Sequence, residues 1–106
     1  MALAEVFDPL KDRVVWDVGH QAYAWKLLTG RATCFDTLRQ LDGVSPFPNP
    51  AESPADAAVA GHAGVALSVA EGLAAARDRK GTGEHVVAVV GDAAIANGVS
   101  FEAINN

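Results

Sequence analysis

Two short runs bring together the residue types best suited to chemistry: Asp17-Val18-Gly19-His20 and Gly91-Asp92-Ala93-Ala94. Each sets a carboxylate and a glycine directly after an apolar, β-branched run that reads as a strand, Arg13 to Trp16 in one case and residues 85–90 in the other. Ligands of open α/β sheets bind just beyond the carboxyl ends of the strands, so the chemistry is expected at these two loops. A carboxylate there is a hard oxygen ligand suited to Mg²⁺, which takes one or two protein ligands together with phosphate oxygens. Backbone N–H groups at the start of the next helix, near Asn97 and Gly98, could hold a phosphate. The pattern suggests a metal with a diphosphate, although an Asp after a strand is more often a turn or N-cap residue than a metal ligand.

The other chemically capable side chains each carry a sharp and a plain reading. His20 and His62 could face a ligand or simply sit at helix starts in solvent. His85 precedes a strand and is expected to be solvated, with no role. Trp16 and Trp25 are expected in the core. Cys34 has no His or acidic neighbour placed to activate it and reads as a small, partly buried hydrophobe. Glu52 either shapes its proline-rich loop or is a solvated carboxylate, and Glu71 reads as a surface or interface residue.

The elements that must position these groups follow from periodicity. Residues 21–29 repeat apolar positions at helical spacing (Ala22, Trp25, Leu28), with Gly30 placed to end the turn. Phe35, Leu38 and Leu41 predict a second helix over residues 33–41, stopped by Gly43. Residues 44–54 hold four prolines in eleven positions, which removes backbone donors and predicts a loop. Residues 62–79, rich in alanine and closed by Arg77, Arg79 and Lys80 before Gly81, predict a tightly packed helix. The unbroken apolar run at 85–90 predicts a strand covered on both faces in a parallel sheet. The expected fold is therefore α/β, a partial doubly wound parallel sheet with helical crossovers. Two strands leave unpaired edges. The chain also opens almost directly on a helical pattern (residues 2–7) and stops inside another (101–106), so it is expected to be one partial domain over residues 1–106, truncated at both ends.

The bulk composition narrows the function classes. Of 106 residues, 50% are hydrophobic and 20% charged, a globular balance, and the net charge of -5 with eight Lys and Arg argues against nucleic acid as a partner. No apolar stretch approaches the roughly 18 residues of a membrane span. One cysteine cannot form an internal disulfide, and no secretory leader pattern is visible at Met1, so a cytoplasmic location is expected.

Beyond these physical readings, the runs Val15-Trp16-Asp17-Val18-Gly19-His20-Gln21-Ala22-Tyr23, Lys26-Leu27-Leu28-Thr29-Gly30-Arg31 and Thr37-Leu38-Arg39-Gln40 resemble the N-terminal domain of the 1-deoxy-D-xylulose-5-phosphate synthase family. So do residues 43–53, Gly61-His62, and the stretch from Gly91-Asp92-Ala93-Ala94-Ile95 to Phe101-Glu102-Ala103-Ile104-Asn105. The match runs in order over nearly the whole chain. The resemblance implies a transferase that uses thiamine diphosphate and Mg²⁺ to decarboxylate pyruvate and join the two-carbon unit to glyceraldehyde 3-phosphate, serving isoprenoid, thiamine and pyridoxal synthesis, with a homodimer as the full-length form. It further implies that His20 lies beside the cofactor near the reacting centre and has a catalytic role. Gly61, His62 and Ala63 would bind cofactor, Asp92 would ligate Mg²⁺, and Ala93 and Ala94 would lie against the diphosphate.

Two departures from the family pattern bear on that site. Ala63 replaces a serine, removing a hydroxyl worth about 0.5–1.5 kcal/mol if it bonded the cofactor. Ala93 replaces a glycine, and its methyl is expected to strain the turn if the backbone there needs positive φ or close approach to phosphate. The residues after His62 also present a thinner polar lining than the family's serine and threonine cluster. Only fourteen residues follow Asp92 in the chain of 106; the family's second metal-binding asparagine lies farther downstream, and its activating glutamate belongs to a later domain. The chain alone is therefore expected to be inactive. Two competing readings are a noncatalytic module that docks on a partner or full-length homologue through its strand edges, and a transketolase-type fragment using a different donor.

Overall fold

Val14, Val15 and Trp16 give Arg13–Trp16 its β-branched and aromatic character, and this segment forms β1, with all three side chains at 5% exposure or less. The computed structural model describes residues 2–106. Before β1 comes a short helix, α1 (Ala2–Val6). After it a 3₁₀ turn (Gly19–Ala22) runs into α2 (Tyr23–Lys26), a π-type turn (Leu27–Arg31) and a second 3₁₀ run (Ala32–Thr37). A long loop leads to α3 (Ala66–Lys80) and β2 (Val86–Val89), and a last 3₁₀ turn (Ala94–Ala96) precedes α4 (Gly98–Asn105).

The two strands pair in parallel, with Val14 opposite Val87 and Trp16 opposite Val89. Backbone bonds extend the ladder at both ends, from Arg13 N–H to the His85 carbonyl at 2.8 Å and from Asp17 N–H to the Val89 carbonyl at 2.9 Å. Parallel strands need a crossover, and α3 supplies it, packing against both strands. One core gathers Val14, Trp16, Ala22 and Trp25, with Leu3 and Ala4 of α1 and Val89 of β2 laid against it. The two indoles sit 6.1 Å apart at 52°, so both tryptophans are core residues as expected. This mixed helix and strand architecture with a two-stranded parallel sheet is that of an incomplete α/β fold.

Several expectations need correction. Residues 33–41 do not form an α-helix: the 3₁₀ run ends at Thr37, and Arg39 and Asp42 take left-handed φ values of 66° and 58°. The spacing of three between Phe35, Leu38 and Leu41 matches the 3₁₀ period, not the α period, and Leu41 is 94% exposed, on no buried face. The helix expected from residue 62 begins at Ala66, because Gly64 at φ +91° interrupts it. It ends where expected, on left-handed Gly81, whose N–H bonds the Arg77 carbonyl at 2.8 Å. Neither α3 nor β2 is tightly enclosed: Ala66 is the one buried residue of α3, and all four β2 residues are half-buried, not covered on both faces. Cys34 is exposed, because the 3₁₀ run carries it along the outside. Gly30, at φ +99°, makes the turn assigned to it.

Candidate functional site

Both β1 and β2 end by delivering an acid and a glycine into loops on the same side of the sheet, as parallel pairing requires. From β1 the chain turns through Asp17 and Val18 into the 3₁₀ turn that carries His20, which is exposed. From β2 it turns through Gly91 into Asp92 and Ala93, both exposed, and Ala94, which is buried. Gly61, His62 and Ala63 lie exposed in the loop that feeds α3.

Three contacts draw these loops together. The Asp17 side chain is wholly buried, and its Oδ1 accepts hydrogen bonds from Gly64 N–H at 2.7 Å and Ala66 N–H at 3.2 Å. Asp17 thereby caps the start of α3 from the end of β1. Its other oxygen, Oδ2, is buried without a protein donor. Gly64 in turn lies against the Asn97 side chain, where a Cβ would collide. Third, Phe47 of the proline-rich loop packs on Gly19 and Gly61, the glycines that precede the two histidines. A Cβ on Gly19 would run into its ring and stand 2.9 Å from the Ala60 carbonyl, and one on Gly61 would come within 3.3 Å of the ring. Glycine is required at 19 and 64 by this close packing.

The turn at Asp92 is relaxed. Ala93 sits at φ −71°, ψ −31°, ordinary right-handed backbone, so the methyl group that replaces the family's glycine imposes no backbone strain. At α4, Asn97 caps its own helix by accepting the Ser100 N–H at 2.9 Å, and it donates to the Ala94 carbonyl. Ser100 Oγ also donates to that carbonyl at 3.0 Å. The helix start considered for phosphate is therefore partly occupied by its own side chains. No group of three or more His, Cys, Asp or Glu side chains gathers to hold a metal among the described residues.

A second cluster lies under the proline-rich loop, and spacing did not reveal it. Lys26, wholly buried, donates to Glu52 Oε1 at 2.8 Å and to the Ser45 carbonyl at 2.9 Å. Arg31 holds Asp56 through two bonds of 2.6 and 3.0 Å and reaches Glu52 at 3.0 Å. Glu52 Oε2 accepts Ser45 N–H, Asp56 accepts Asn49 N–H, and Trp25 Nε1 donates to the Ala55 carbonyl. Lys26 thus donates to the loop's Ser45 carbonyl while the two carboxylates, held by the two cations, accept its Ser45 and Asn49 N–H groups, and Glu52 shapes the loop. Burial alone would raise the Glu52 carboxyl, but bonds from Lys26, Ser45 N–H and Arg31 hold it below its ordinary value. A cavity of ~260 Å³ opens here, lined by Arg31, Cys34, Thr37, Asp42, Gly43, Val44 and Glu52, and it includes none of the strand-end residues.

At the opposite ends of the strands, Asp12 accepts His85 N–H at 2.8 Å and faces the exposed imidazole at 3.2 Å. The His85 backbone bond, outweighing burial, keeps the Asp12 carboxyl below its usual range. His85 is solvated as expected. Glu71 is half-buried and accepts from Asn106 Nδ2, linking α3 to α4. No helix is long and apolar enough to cross a membrane among the described residues.

A family model described as 1-deoxy-D-xylulose-5-phosphate synthase, N-terminal, matches residues 1–106. Proteins called 1-deoxy-D-xylulose-5-phosphate synthase are similar along the chain: that of Acidobacterium capsulatum is 59% identical over 106 residues, covering 100% of this chain and 17% of the relative. That of Nitratidesulfovibrio vulgaris (strain DP4) is 55% identical over 105 residues, covering 99% and 16%, and that of Geobacillus sp. (strain WCH70) is 52% identical over 106 residues, covering 100% and 17%. The chain spans about one sixth of the length of these curated relatives.

Proposed function

Because the chain belongs to the 1-deoxy-D-xylulose-5-phosphate synthase family, we propose that residues 1–106 are a partial thiamine-diphosphate-binding domain whose site is formed by the strand-end loops. The whole protein would be the transferase that condenses pyruvate with glyceraldehyde 3-phosphate, with release of CO₂, toward isoprenoid, thiamine and pyridoxal precursors. The observation that carries this reading is the convergence of three loops on the Asp17 carboxylate and Gly64, which gathers the segments bearing His20, His62 and Asp92 at one end of the parallel pair.

The residues present fit a Mg²⁺–diphosphate group. Asp92 offers an exposed, hard carboxylate at a strand end, suited to an ion that keeps several waters and binds through one or two carboxylates plus phosphate oxygens. Ala93 and Ala94 follow in unstrained backbone and would lie along the diphosphate. Gly61, His62 and Ala63 would line the cofactor from the α3 loop, and His20 would face its reacting end as a proton-handling group. The bound cofactor supplies the carbanion chemistry; the chain's residues hold and orient it. Asp17 is assigned a structural part in this reading, its Oδ1 taken by two backbone donors.

Titration calorimetry of the full chain with thiamine diphosphate tests the reading. Saturable heat that requires Mg²⁺ and falls about tenfold in affinity in Asp92→Asn is expected. A folded chain that gives no heat at millimolar ligand contradicts it. A second reading, docking on a partner or on a homologous chain, draws on the half-exposed β2 and on the exposed Ile95, Val99, Phe101 and Ile104 around α4. A strictly monomeric species in light scattering would count against that reading. The names of the relatives favour the deoxyxylulose-phosphate reading over a transketolase-type donor.

A further inference from the structure

We propose that Asp17 is a positioning residue: its buried carboxylate locks the loop carrying His62 to the end of β1, and through Gly64 to the loop that follows Asp92. The inference rests on reading the strand-end loops as a cofactor site. Helix α3 begins without a local cap, since Val65 offers no polar side chain. Its first N–H, Ala66, is taken instead by Asp17 from 49 residues away, and the same oxygen takes the N–H of Gly64 in the loop just before the helix. A local Ser or Thr would stabilise the helix just as well, but it would leave the 61–65 loop free to shift against the sheet. A remote cap fixes helix and strand to each other.

Three further observations support a role beyond helix capping. Burying a carboxylate is costly, and Asp17 is wholly buried with Oδ2 lacking a protein donor, an expense that a neutral capping residue would avoid. The negative charge sits at the positive end of the α3 dipole, which strengthens the clasp. Gly64, the residue whose N–H is taken, has φ +91° and abuts Asn97, so a displaced 61–65 loop would also disturb the turn between Asp92 and α4.

The test compares the full chain with Asp17→Ala and Asp17→Asn, reading amide hydrogen exchange residue by residue and calorimetric affinity for thiamine diphosphate with Mg²⁺. In Asp17→Ala, exchange at Gly64 and Ala66 should accelerate about tenfold while the amides of β1 hold their protection, and affinity should fall about tenfold in parallel. Asp17→Asn keeps a neutral acceptor and should lose about threefold in both readouts, which covers the case in which the alanine variant fails to fold. Faster exchange at Gly64 with unchanged affinity in either variant overturns the proposal, as does unchanged exchange at Gly64. If the unsubstituted chain binds no cofactor, the reading of the site fails, and the exchange data alone then decide whether Asp17 ties the loop to β1.

Discussion

The clasp under the proline-rich loop and the loops at the strand ends are built on opposite principles. In the clasp, Lys26, Arg31, Glu52 and Asp56 are largely buried and answer one another's charges, and each carboxylate also accepts a backbone donor. At the strand ends His20, His62, Asp92 and Ala93 face solvent, and the one buried carboxylate, Asp17, is only half satisfied. The clasp is complete within the chain, as a structural element should be. The strand-end loops hold chemically capable groups outward and incompletely paired, as suits a region that receives a ligand. The cavity of ~260 Å³ beside the clasp is therefore not where the chemistry is expected.

Breaking the clasp should give the largest effect. Arg31→Ala leaves buried Asp56 without its paired cation and Glu52 with Lys26 alone, and is expected to cost about 3–5 kcal/mol in urea unfolding. Next comes Gly64→Ala, which forces a side chain into left-handed backbone against Asn97. A loss of about 1–2 kcal/mol is expected, together with weaker cofactor binding. Asp92→Asn should do the reverse of the clasp variant: stability within about 0.5 kcal/mol of the parent, because the residue is exposed, with Mg²⁺-dependent binding reduced. The smallest effect is one of pH. The folded Glu52 carboxyl lies below its ordinary 4.5, so its stabilising contribution is full above that value and is lost as pH falls through the lower, folded value. Glu52→Gln should flatten this acid limb of the stability curve, measured by thermal unfolding at a series of pH values.

Much of this was legible in the residues, for local reasons. The strands stand out because unbroken β-branched runs have few alternatives, and β1 was read at its observed bounds. The family motifs marked the strand-end loops before any geometry. What spacing could not show was long-range: the acceptor at the start of α3 comes from 49 residues upstream, so the pattern near residue 62 puts the helix start too early. Glu52 reads equally as loop-shaping or solvated from its neighbours in sequence, because Lys26 and Arg31, which converge on it, lie 26 and 21 residues away. Residues 33–41 form no α-helix because a spacing of three fits the 3₁₀ period, and Thr37 Oγ1 donates to the Cys34 carbonyl at 2.7 Å and accepts Val44 N–H at 3.2 Å, turning the chain.

The contrast between the two regions is tested most directly by replacing Mg²⁺ with paramagnetic Mn²⁺ and recording which backbone amide signals broaden when thiamine diphosphate is added. Broadening centred on Asp92, Ala93 and Ala94 and reaching the His20 and Gly61 loops, absent without the diphosphate, is the predicted result. Broadening centred on Asp42 and Glu52 at the clasp cavity, or none at all in a folded chain, would contradict the account.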